Sequence, residues 1–123
     1  MDNEKMINLI HFCGEALMKA HLYNDAIRVW QIGTEYNDKL SYMNLAKIYV
    51  DELSTQNKLK HTRNVNVSPE LCRMLMISIY QKFPEEAVPF LEILINLPNI
   101  PQEHKEHYEK LLQQNRGGKN GEM

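Results

Sequence analysis

Residues 14–33 read GEALMKAHLYNDAIRVWQIG, from Gly14 to Gly33. Small residues recur along this amphipathic run at Gly14, Ala20, Ala26 and Gly33, and Tyr23 and Trp30 lie between them. A glycine inside a helix costs about 1 kcal/mol relative to alanine, so two of them need a reason. Only "AHL" or so separates the first helix from the one that begins at Tyr23, which forces the two into a hairpin. In a close hairpin the contact positions are small on one helix where they are large on the other. Gly14 and Ala26 therefore let the two backbones approach, Tyr23 and Trp30 fill the space beside them, and Gly33 serves the next helix.

Outward from this stretch the apolar spacing is helical throughout. Met6, Ile10, Cys13, Gly14 and Leu17 form one stripe, Tyr23, Ala26, Ile27, Trp30 and Gly33 a second, and Tyr42, Leu45, Ala46, Tyr49 and Leu53 a third. "VSPEL" starts a fourth helix, with Ser68 as N-cap, Pro69 at the first helical position and Glu70 in the first turn. Pro84 opens a fifth helix over "PEEAVPFLEILINL", where Pro89 removes one backbone donor and predicts a kink or a later start. Pro101 opens a sixth, "PQEHKEHYEKLLQQN". No segment alternates with period two, which predicts an all-α, antiparallel helical-hairpin array of about six helices.

The expected organisation is a single helical domain over 1–114 and a disordered tail over 115–123, where apolar content is too low for folding. Within the domain the polar stretch 54–68 is too long for a simple turn and reads as a loop between the third and fourth helices. With 123 residues, 43% hydrophobic, the chain can build one real core. A net charge of −2 does not favour a protein devoted to a nucleic-acid backbone. Cys13 and Cys72 form neither a disulfide framework nor a zinc spacing and read as small buried hydrophobes. The acidic start "MDNEKM" lacks a leader pattern, and no apolar run approaches a membrane span, so the expectation is a soluble, cytoplasmic protein.

The stretch resembles a tetratricopeptide repeat, a helix–turn–helix unit of about 34 residues with small residues at its eighth, twentieth and twenty-seventh positions. Ala26 at the twentieth position places Gly14 at the eighth and Gly33 at the twenty-seventh, with Tyr23 on the turn aromatic and Trp30 on the large residue of the second helix. Cys13, Leu17 and Asp38 depart from the pattern, standing where leucine, tyrosine and the terminal proline are usual. "NLAKIY", from Asn44 to Tyr49, resembles the first helix of a second repeat, and the likeness covers residues 7–53. It implies a TPR-like α–α superhelix in which the first helix of each hairpin lines a concave groove for a peptide. Carried over by position, the groove comprises His11, Glu15, Met18 and Lys19, then Met43, Asn44, Lys47 and Val50. Of the residues that clamp a carboxylate in some family members only Asn44 is present. The alternative for these positions is an ordinary solvated helix face.

The implied function is a non-enzymatic protein-interaction adaptor or scaffold in the cytoplasm, with a protein or peptide partner and no cofactor, metal or membrane. The alternative is a small helical-repeat RNA-binding protein of pentatricopeptide type, to which "SYMNLAKIY" is also similar in cadence. Enzymatic motifs are missing: no glycine-rich phosphate loop, nucleophile elbow or HExxH occurs. His11 is two residues from Cys13 and projects from another helical face, so it does not activate that thiol. His104 and His107 have metal-compatible spacing, but His104 lies at the edge of the Tyr108–Leu111–Leu112 stripe and His107 points elsewhere among alternating charges, so the pair does not read as a metal site. Lys58, Lys60, His61 and Arg63 make a positive loop without an aromatic residue for base stacking. Helices four and five carry apolar residues on more than one face. Met74, Met76 and Ile77 flank a Leu71–Leu75–Ile79 stripe, and Met74 and Met76 are expected at a partner or homodimer contact.

Overall fold

The computed structural model describes residues 2–55, 65 and 67–121. These form α1 (Asn3–Lys19), α2 (Tyr23–Glu35), α3 (Lys39–Thr55), α4 (Pro69–Lys82), α5 (Pro84–Leu94) and α6 (Gln102–Gly121). Among the described residues there is no strand. Each helix packs on the next in sequence, and α3 also packs on α5. The architecture is an all-α array of helical hairpins.

Two turns set the first half of the array, and both use the same device. The α1 helix ends with His21 in the left-handed region at φ 61°, and α2 ends with Asn37 there at φ 58°. Leu22 N–H donates to Leu17 O at 2.9 Å and His21 N–H to Met18 O at 3.0 Å. Sixteen residues on, Asp38 N–H donates to Gly33 O at 3.1 Å and Asn37 N–H to Thr34 O at 3.0 Å. Both pairs are Schellman terminators, which satisfy the last carbonyls of a helix and reverse the chain sharply. The sequence lacks glycine at either position, which hid the motif.

The small residues sit where close packing demands them. A β-carbon built on Gly14 would lie 2.6 Å from Trp30 Cε2, and one on Gly33 would lie 2.6 Å from Ser41 Cβ of α3. Ala26 and Trp30 are fully buried. Asp38 then caps α3: its Oδ2 accepts from Ser41 N–H at 3.1 Å and from Ser41 Oγ at 2.6 Å. Ser68 caps α4 by accepting from Leu71 N–H at 3.1 Å, with Pro69 at the first helical position.

Several expected boundaries move. Ser54 and Thr55 belong to α3, and Ser54 Oγ donates to Val50 O at 2.8 Å instead of opening the loop. Most of the 54–68 stretch lies outside the described residues, including Lys58, Lys60, His61 and Arg63. Val65 and Val67 at its end are buried in the core. The α5 helix contains Pro89 and stops at Leu94, three residues before the expected Leu97. Leu97 and Ile100 are buried beyond it, and Asn99 Nδ2 donates to Leu53 O at 3.2 Å, which ties this turn to the end of α3. The backbone of α6 runs on to Gly121, past the end expected at Asn115 and through the stretch expected as a disordered tail.

The α4 helix turns a different face inward from the one expected. Cys72, Met76 and Ile79 are fully buried, whereas Leu71 is 46% and Met74 56% exposed. The buried stripe is thus Cys72–Met76–Ile79: Ile79 is buried as expected, and Cys72 and Met76 take the inward places expected of Leu71 and Leu75. Met76 fills the core and offers nothing to a partner.

Candidate groove between α1, α3 and α5

A hollow of about 470 Å³ opens where the end of α1 and the start of α2 face α3 and α5. Its lining is Met18 and Tyr23 from the first hairpin, Lys47, Ile48, Val50, Asp51 and Ser54 from α3, and Phe90 and Ile93 from α5. Volumes of about 300–1,000 Å³ are typical of ligand sites. The lining follows from helical geometry: residues three and four apart on α3 share a face, which brings Lys47, Val50, Asp51 and Ser54 into one strip. On α5, Phe90 and Ile93 are one turn apart and meet that strip because α5 packs directly on α3.

The walls are held from behind. Trp30 Nε1 donates to Met18 Sδ at 3.3 Å, which orients the thioether at the mouth. Tyr23 Oη and His21 Nδ1 are 3.0 Å apart at the turn below it. Val50 and Ile48 are almost fully buried, so they form the floor, while Ile93 is 45% exposed at the rim. Lys47 and Asp51 are exposed, one turn apart, and give the rim both signs of charge.

Of the residues expected in a partner contact, Met18, Lys47 and Val50 line the hollow. His11 is drawn elsewhere: its Nε2 lies 2.7 Å from Asp38 Oδ2, and its ring tilts towards Trp30 at 6.2 Å between centroids. It therefore joins α1 to the cap of α3. Glu15 and Lys19 are exposed on α1, and Met43 and Asn44 are half-buried on α3, but none of the four lines the hollow. Met74 is exposed on α4 and Met76 is buried. Tyr23, Ile48, Asp51, Ser54, Phe90 and Ile93 complete the lining, and the sequence reading did not place them there. Spacing from Lys47 identifies Asp51 and Ser54 as neighbours on α3. Nothing local signals Phe90 or Ile93, because their place depends on how the third hairpin stacks.

Cys72, Tyr108 and His104 are buried, whereas Cys13, expected as a buried hydrophobe, is half-buried. Burial pushes the Cys72 thiol up to about 12, which keeps it protonated and a poor nucleophile. Burial also raises the Tyr108 phenol. His104 is buried, and its Nε2 lies 3.3 Å from Glu70 Oε1, while the guanidinium of Arg73 also binds Glu70 and lowers its carboxyl. No set of three or more histidine, cysteine or acidic side chains is grouped to hold a metal among the described residues. No described helix is long and apolar enough to cross a membrane.

Fold and hollow together define the class: a helical-hairpin array with a part-apolar groove on the side of its first, third and fifth helices. No protein-family profile, curated protein or solved structure matches the chain.

Proposed function

We propose that the protein is a non-enzymatic interaction scaffold of TPR-like hairpins whose groove takes a peptide segment of a protein partner. The hollow between α1, α3 and α5 carries this reading, because it is lined by the first helix of every hairpin. An array of this kind presents its groove on that side. Met18, Tyr23, Val50 and Phe90 supply apolar contact for one bulky side chain of the partner, and Lys47 at the rim supplies a cation for a carboxylate beside it. The occupant is therefore a short segment with a large apolar anchor flanked by an acidic residue, in the manner of a helix or strand laid into a groove.

Selection of displayed peptides on the full chain tests this. Ile93 and Lys47 are both exposed, so Ile93→Arg and Lys47→Glu leave the core intact. The selected sequences carry an aromatic or large aliphatic residue next to Asp or Glu, and each substitution weakens binding by about tenfold or more. Failure to select apolar sequences, or binding indifferent to both substitutions, overturns the reading.

A further inference from the structure

The side of α1 turned away from the molecule carries two large apolar residues between lysines. Phe12 is 74% exposed and Leu9 47%, the former the most exposed large hydrophobic of the described residues. At 3.6 residues per turn, Phe12 projects about 200° round the helix from the buried Ile10 and about 160° from Gly14. Lys5, Leu9, Phe12, Ala16 and Lys19 are all exposed and follow spacings of four, three, four and three. This is the alternating four-and-three spacing of a two-helix seam, in which every such position faces the partner helix.

We propose that this face docks on a second copy of the chain, α1 against α1, antiparallel, about a twofold axis passing between Leu9 and Phe12. A twofold contact uses one patch twice, so the patch must be complementary to itself. In this register Phe12 of each copy packs on Leu9 of the other. The small Ala16 leaves room for the alkyl stem of Lys5 from the second copy, with Glu15 beside its amine. Lys19 comes opposite the N-terminal end of the other α1, where Asp2 and Glu4 lie. A parallel pair would set Lys5 on Lys5 and Lys19 on Lys19, and an antiparallel pair centred on Phe12 would set Lys5 on Lys19. Like-charge contacts thus disfavour both the parallel pair and the register centred on Phe12. The helix is 17 residues long, about 25 Å at 1.5 Å per residue. A seam of that length covers less than the roughly 800 Å² per partner of a standard interface, so the dimer is weak and concentration-dependent. The inference is independent of the groove, since neither Leu9 nor Phe12 lines it.

Sedimentation equilibrium of the full chain, from about 5 to 500 μM, spans the range in which so small a seam associates. The wild type is expected to rise from monomer towards dimer mass across that range. Phe12→Glu weakens association about tenfold or more with helix content unchanged, as befits a central aromatic contact. Lys5→Glu also weakens it, and adding Glu15→Lys to that variant restores the wild-type constant. Met74→Glu on the exposed face of α4 leaves association unchanged. A wild type that stays monomeric throughout overturns the proposal. So does a dimer that survives Phe12→Glu, one that Met74→Glu abolishes, or a charge swap that restores nothing.

Discussion

The indole of Trp30 lies across the backbone of Gly14, so close that a β-carbon at position 14 would stand 2.6 Å from Trp30 Cε2. The ring is fully buried and its Nε1–H is committed to Met18, so it cannot swing aside. Gly14→Ala should therefore destabilise the protein by about 1–3 kcal/mol through overpacking, against a helix-propensity gain of about 1 kcal/mol. Gly14→Leu should cost more. Urea denaturation monitored by circular dichroism measures both, and Trp30→Phe should recover part of the Gly14→Ala loss by removing the second ring.

Asp38, in the turn between α2 and α3, joins α1 to α3 through one carboxylate. It accepts from Ser41 N–H and Oγ at the start of α3 and pairs with His11 of α1. Asp38→Ala removes an N-cap, worth about 0.5–2 kcal/mol, and leaves the buried Ser41 hydroxyl without that acceptor, so a loss of about 2–3 kcal/mol is expected. Asp38→Asn keeps an acceptor and should cost less. Denaturant midpoints of the two variants and of His11→Ala separate cap from pair.

Met76→Ala should destabilise by about 2–5 kcal/mol and Met74→Ala by less than about 0.5 kcal/mol. The contrast follows from burial, since Met76 is fully buried and Met74 56% exposed. Equal effects would place the inward face of α4 wrongly.

That pair also marks where the sequence stops being legible. The first hairpin could be read because its small residues and aromatics are spaced for one packing solution, and Gly14, Ala26, Trp30 and Gly33 all pack as that spacing requires. The Ser68–Pro69 start of α4 was equally plain, being local chemistry. The inward face of α4 was not, because Leu71, Cys72, Met74, Leu75 and Met76 are all apolar and periodicity alone cannot choose among them. The terminators at His21 and Asn37 were hidden by the lack of glycine. In the groove, Met18, Lys47 and Val50 were legible from position on α1 and α3, whereas Phe90 and Ile93 depend on α5 packing against α3. His11 was drawn into the hairpin by Asp38, a contact 27 residues distant that no local pattern encodes.

Stability should fall in alkali. The Cys72 thiol is raised from its ordinary value of 9.0 to about 12, and Tyr108 is raised above 10.0, in both cases mainly by burial. Above pH 9 the unfolded chain releases protons that the folded chain retains, so unfolding is favoured as pH rises. The Cys72 contribution is intact below about pH 9 and is lost towards pH 12, and that of Tyr108 falls only above about pH 10, each with a limiting slope of about 1.4 kcal/mol per pH unit. Urea midpoints between pH 7 and pH 11 should decline, and Cys72→Ala should flatten the decline. Thiol labelling of the native protein should modify the half-buried Cys13 before Cys72.

The most direct test of the groove is methyl-resolved NMR of the full chain titrated with a peptide carrying a bulky apolar residue beside an acidic one. The methyls of Met18, Ile48, Val50 and Ile93 converge on the hollow from α1, α3 and α5, whereas those of Leu9, Ile32 and Leu71 do not line it. Binding in the groove gives saturable shifts concentrated on the first set, with affinity weakened about tenfold or more by Lys47→Glu. Shifts concentrated on the second set, with the groove methyls unmoved, would contradict it.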